Sequence, residues 1–238
     1  DFIEHDLQIF SDKVIRSYTS FVPLYDYLYH NPKPTERDKV LMKGYYYKSQ
    51  LFNWYRSRTD TIIDALHRRI GKPMSGDFPI NEVKQYFGNS IGQDVELKFS
   101  HLLNMRIRYI VLNLIYVERH GKSPFDVAFK GNEPHIDHIY PKSMLKSRLN
   151  LLTEDINHIG NYRYVGATDN IRKRAEMPDS YFTRLKADGI PIENHLLLKD
   201  YSKDPSLLVF DEETYFAFRD ARLKAIFEIV EKIVNPEL

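Results

Sequence analysis

His135-Ile136-Asp137-His138-Ile139-Tyr140-Pro141-Lys142-Ser143 is followed by Ile159-Gly160-Asn161-Tyr162 and then by Thr168-Asp169-Asn170-Ile171-Arg172-Lys173-Arg174. The segments here are short and β-branched, with Gly131, Pro134, Pro141, Gly160 and Gly166 as punctuation, a pattern of strands between turns. Strands are expected near Pro134–Asp137 and Asn161–Val165, then a helix from about Thr168 to Arg174. An Asp-His pair at a strand end sets a hard oxygen ligand beside an imidazole that titrates near neutrality. Asn170 lies 32 residues after His138 on the expected helix, and a strand–strand–helix turn brings it back over the first strand. Its amide oxygen then completes a metal site, and Arg172, Lys173 and Arg174 follow, placed to meet phosphates. His135 shares a strand face with Asp137 and either binds metal or phosphate or packs as a structural residue. Lys142 is either a phosphate contact or a solvated loop lysine. His158, just before the second strand, reads as structural.

On both sides of this stretch the chain turns helical. Upstream, Ile9, Phe10, Val14, Ile15, Tyr18, Phe21 and Leu24 fall at the three- and four-residue spacing of an amphipathic helix. Asn31-Pro32-Lys33-Pro34 ends it, Thr35-Glu36-Arg37-Asp38 has the form of a helix start, and a second helical block runs from about Asp38 to Arg56. A third spans Thr59 to Ile70 and stops at Gly71-Lys72-Pro73. Pro79-Ile80-Asn81-Glu82 opens a short helix near Val83–Phe87. Leu102 to Val117 is the most apolar helix and the expected centre of an N-terminal core. Downstream, Thr214 to Val234 carries a further helix. The expected fold is mainly α with a small embedded ββα unit, α+β in class. Three regions are expected: a helical 1–121, a strand-bearing 122–187 and a C-terminal helical packing segment 188–238.

With 42% of its 238 residues hydrophobic, the chain can bury a sizeable core, which excludes wholesale disorder. The longest apolar runs, such as Ile110 to Val117, fall far short of the ~20 residues a membrane span needs. There is no Cys, which excludes disulfides, thiolate zinc sites, iron–sulfur clusters and cysteine nucleophiles. A metal must then be held by His, carboxylate or amide oxygen, which suits hard divalent ions. The acidic start Asp1-Phe2-Ile3-Glu4 does not resemble a signal peptide, and the missing Met suggests a piece of something longer.

The net charge of +1 hides an uneven distribution. Lys33 to Lys72 holds ten Lys/Arg against four Asp/Glu, whereas Asp188 to Leu238 holds six against eleven, which permits a polyanion on one face. Within the basic stretch, Tyr45-Tyr46-Tyr47-Lys48 and Trp54-Tyr55-Arg56-Ser57-Arg58 interleave aromatics with cations, as nucleic-acid surfaces do. The commoner arrangement, and the preferred reading, is a core of aromatics with Lys and Arg snorkelling outward.

Asp137-His138-Ile139-Tyr140-Pro141-Lys142-Ser143, Ile159-Gly160-Asn161, Thr168-Asp169-Asn170-Ile171-Arg172-Lys173 and Pro178-Asp179-Ser180-Tyr181 together resemble the HNH, or ββα-metal, nucleases. The pattern is similar to the nuclease half of the GmrSD-type modification-dependent (type IV) restriction endonuclease family. Leu51-Phe52-Asn53-Trp54-Tyr55-Arg56-Ser57-Arg58 resembles the aromatic-basic helix end that precedes the motif there, so the likeness spans most of the chain. Only His135 to Tyr181 is specific.

The resemblance implies Asp137 and Asn170 as metal ligands, His138 as general base, and Asn161 as a brace that holds the loop by backbone hydrogen bonds. It implies Mg²⁺ or Mn²⁺, DNA cleavage or nicking, and a cytoplasmic anti-phage role beside a nucleotide-dependent sensor domain or subunit. The sensor's usual P-loop pattern is not in this sequence. The chemistry is that of phosphodiester hydrolysis, in which a base deprotonates water while a cation offsets charge on phosphate and leaving oxygen. Two rivals remain: a ribonuclease with the same site, and a non-catalytic DNA-binding or assembly module with a vestigial one. Further nucleic-acid contacts are assigned to His135, Lys142, Arg172, Lys173, Arg174, Arg56 and Arg58.

Overall fold

Pro134–His138 (β1) and Tyr162–Gly166 (β2) pair antiparallel in the computed structural model, which describes residues 2–126 and 133–236. The register sets Asp137 opposite Arg163 and His138 opposite Tyr162. The helix Ala167–Lys173 leaves β2 directly and packs on both strands. The rest of the described chain is mainly helical, and this ladder is the sheet among the described residues. Both strands and the following helix lie within a residue or two of their sequence-predicted limits. Gly131 lies outside the described residues.

Close packing divides the chain into two compact groups, Asp1–Ile110 with Val230–Leu238, and Val111–Ile229. The first is built on the helices Phe21–His30, Glu36–Phe52 and Thr59–Ile70. Thr35 starts the second of these: its hydroxyl accepts from the Asp38 backbone N–H while the Asp38 carboxylate accepts from the Thr35 N–H, a reciprocal cap. Asp38 is buried, and its other oxygen accepts from Tyr27 Oη at 2.9 Å and from the Phe78 N–H at 2.7 Å. The aromatic-basic stretch supplies the core, as preferred from sequence: Tyr45, Tyr46, Tyr47, Trp54 and Tyr55 are all buried. The Trp54 ring stacks on Phe87 with centroids 4.1 Å apart. Lys48 does not snorkel; it is 1% exposed, donating to the Val95 carbonyl at 2.9 Å and to Asn235 Oδ1. Arg56 and Arg58 do reach solvent.

Two expectations for the N-terminal region need correction. Residues 9–24 do not form one helix. Gln8 takes a positive φ, Ser11 caps its own 3₁₀ turn Asp12–Val14, and regular helix begins only at Phe21. Serines bonding to nearby backbone outcompete the helical ladder there. The apolar helix is also shorter than expected: Asn104 caps a 3₁₀ turn, Met105–Ile107, and the α-helix runs Arg108–His120. From Val111 onward it belongs to the second group, so it does not centre the N-terminal core.

The second group packs around Ile139, Tyr140, Leu145, Phe182, Tyr215 and Phe218. Ile139 and Tyr140 follow β1 directly, so the strand end that carries Asp137 and His138 is anchored in this core. The stretch up to about Ala175, expected to be turns and strands apart from the helix after β2, also carries helices at Lys142–Arg148 and Thr153–Ile156, and a further helix follows at Pro178–Ala187.

Candidate active site

His138 closes β1, and its half-buried ring lies edge-on to Tyr162, its cross-strand partner, at 4.8 Å. Its Nε2 meets Asn157 Oδ1 at 3.1 Å. An amide oxygen only accepts, so Nε2 carries the proton and Nδ1 keeps the lone pair. Burial lowers the His138 pKa; Asn157 and Asp137 oppose that shift, while the charges of Lys142 and Lys173 add to it. The ring is therefore neutral at pH 7, as a base must be. Asn157 was not singled out from sequence. Its bond depends on a loop that closes across 19 residues, for which no local signal exists.

Asn161 bonds to the backbone on both sides of its loop. It is fully buried; its Oδ1 accepts from the Tyr140 N–H at 2.8 Å, and its Nδ2 donates to the carbonyls of Tyr140 and Ile156, each at 3.2 Å. The amide offers an acceptor and a donor to one backbone unit. The same loop is held from the far C-terminal helix. Buried Arg222 donates to the carbonyls of Ile159 and Gly160 at 3.3 and 3.0 Å. Gly160 fits because a Cβ there would lie 2.2 Å from the Arg219 carbonyl oxygen. His158 is structural: its Nδ1 accepts from the Gly160 N–H at 3.1 Å, and burial with the nearby Arg219 pulls its pKa down to about 4.

Asp137 is buried and carries two cations. Arg163 Nε and Lys173 Nζ reach its Oδ2 at 2.9 and 2.7 Å, and both of these side chains are buried. Lys173 also donates to the carbonyls of His138 and Ile139. Lys173 is thus turned inward onto the strand end, away from the solvent phosphates it was expected to meet. Burial pulls the Lys173 ammonium down to about 8, against the opposing pull of Asp137. Arg163 was not singled out from sequence either, though it stands opposite Asp137 in the ladder, where cross-strand partners meet.

The remaining predicted residues fall at varied depths. Asn170 is half-buried on the helix Ala167–Lys173, which packs on β1. His135, Lys142, Arg172 and Arg174 are exposed. Arg56 and Arg58 belong to the other packed group.

A divalent ion would draw on Asp137 and Asn170. Both ion pairs of Asp137 fall on Oδ2, so Oδ1 carries neither. A carboxylate oxygen and an amide oxygen make a hard donor pair that fits Mg²⁺ or Mn²⁺, with water or substrate completing the shell. Among the described residues there is no group of three His, Asp or Glu side chains placed to hold an ion. No helix among the described residues is long and apolar enough to cross a membrane. No protein-family model matches the sequence, and no curated protein matches it either.

Proposed function

We propose that the chain is a metal-dependent DNA endonuclease or nickase of the HNH, ββα-metal kind. It would serve as the effector part of a cytoplasmic prokaryotic anti-phage restriction system, working beside a nucleotide-dependent sensor. The observation that carries this reading is the end of β1: a buried carboxylate beside a neutral imidazole, on a loop braced by Asn161, with a helix bearing Asn170 against the strand.

His138 Nδ1 accepts a proton from the water that attacks phosphorus, while Asn157 keeps Nε2 protonated and the ring fixed. Lys173 and Asn161 hold the backbone from His138 to Tyr140, so the base does not drift from its line of attack. Asp137 and Asn170 would hold a divalent ion, which supplies Lewis-acid stabilisation of the phosphate and of the departing 3′ oxygen.

One observation favours a second reading, a DNA-binding module with a vestigial site: Asp137 already has two cations on one oxygen. Supercoiled plasmid incubated with the protein separates the two. Nicked or linear product in Mg²⁺ or Mn²⁺ that EDTA abolishes supports the nuclease, and intact plasmid that is nonetheless bound supports the module. Parallel incubation with RNA distinguishes a ribonuclease.

A further inference from the structure

Arg163 and Lys173, the two cations on Asp137, also line a cavity of about 500 Å³. Lys122 and Arg172 add positive charge to its wall against Asp169 and Asp188, Arg184 is paired with Glu176 at 2.7 Å, and Tyr116, Tyr164 and Tyr181 add aromatic surface. Asp137, His138 and Asn170 are not among its lining residues, so the cavity adjoins the candidate active site without being part of it. Arg163 is 2% exposed, its guanidinium lies over the rings of Tyr181 and Phe182 at 4.8 and 5.0 Å, and its Nη2 has no hydrogen-bond partner. A buried donor without a partner is rare in folded proteins and asks for an explanation. The cavity's volume falls in the range of small-molecule sites. Lys122 and Arg172 are exposed and available to an incoming anion. Excess cations suit phosphate, and flat aromatic walls suit a base.

We propose that this cavity binds a nucleotide, either free or as the 5′-phosphorylated end of a strand, and that its occupancy is linked to Asp137 through Arg163 and Lys173. A phosphate that draws on these two cations loosens their hold on Asp137 Oδ2, and the carboxylate becomes a better metal ligand. Nucleotide therefore tightens metal binding, and metal tightens nucleotide binding by the same factor. The binding half stands on the cavity alone, whereas the linkage rests on the nuclease reading.

The test is isothermal titration of the full chain in EDTA with AMP, inorganic phosphate, adenosine and oligothymidylate with and without a 5′-phosphate. AMP or the 5′-phosphorylated strand should bind at least tenfold tighter than phosphate or adenosine, and the tighter of the two identifies the source. Arg172→Ala with Lys122→Ala, both at exposed positions, should weaken that binding about tenfold or more, since hydrogen bonds to charged groups are among the stronger ones. Mn²⁺ affinity should rise about fivefold or more when AMP is saturating. Phosphate binding as tightly as AMP, no heat with either nucleotide at millimolar concentration, or unchanged affinity in the double variant overturns the site. Because the titration in EDTA involves no cleavage, its failure leaves the nuclease reading standing. A catalytically dead chain that binds AMP leaves the site standing. Nucleotide binding without any change in Mn²⁺ affinity overturns the linkage.

Discussion

Replacing Lys173 with Met removes the cation that ties the helix after β2 to the end of β1. The Lys173 ammonium donates to Asp137 Oδ2 at 2.7 Å, to the Ile139 carbonyl at 3.3 Å and to the His138 carbonyl. Met fills similar volume but leaves two buried carbonyls short of a donor, at about 1–3 kcal/mol for each group left fully unsatisfied. Asp137 keeps Arg163, and the repulsion between Lys173 and Arg163 disappears, which offsets part of the loss. The net expected destabilisation is about 2–4 kcal/mol by the same bookkeeping. Asp137→Ala should be worse. It leaves two buried cations without their anion, and stranding buried charge costs about 3–5 kcal/mol. Urea unfolding followed by far-ultraviolet circular dichroism reads both, and hydrogen exchange localises the loss to the Val111–Ile229 group. The ordering of the two variants follows from the buried pair. Lys173→Met within about 0.5 kcal/mol of wild type, with a flattened salt dependence of DNA binding, would place the ammonium on solvent phosphates and refute the clamp.

Other consequences are independent of that pair. Asn170→Ala should lower Mn²⁺ affinity in calorimetry, and unchanged affinity would remove the helix Ala167–Lys173 from the metal site. Arg56→Ala with Arg58→Ala should flatten the log–log salt dependence of duplex binding by about one to two if both meet phosphate, at about 0.9 per contact. A lowered melting temperature with an unchanged slope would make them structural. His158 and His195 have folded pKa values of about 4 and about 3, each set chiefly by burial. The unfolded chain therefore binds more protons between these values and the ordinary 6.5, so stability is full above pH 6.5 and falls as pH drops toward 4. A loss of a few kcal/mol, at about 1.4 kcal/mol for each tenfold difference in proton affinity between the folded and unfolded chain, should appear in melts across that window. A flat profile would contradict the burial of both rings.

The strand–strand–helix unit was legible because its pieces are short, β-branched and fenced by Gly and Pro. The cap at Thr35 was legible because a hydroxyl followed three residues later by a carboxylate has few other uses. The run from Ile9 to Leu24 misled because apolar residues in turns can mimic helical spacing, and periodicity does not see a serine bonding to its own backbone. Lys173 sits between Arg172 and Arg174, and nothing in such a run marks the middle cation as the buried one; the strand pairing and the helix entry angle decide it. Asn157 reaches His138 across 19 residues and Arg222 reaches Ile159 and Gly160 across more than 60, so their roles exist only in the folded chain.

The rate of plasmid cleavage by His138→Ala shows whether His138 is the base of a hydrolytic site. Measured under single turnover in Mn²⁺ beside the wild type, with circular dichroism and DNA affinity as controls, the variant should cleave about 10²–10⁴-fold more slowly while folding and binding as before. Cleavage by the variant at the wild-type rate, or a wild type that leaves plasmid intact in every divalent metal, would contradict that role.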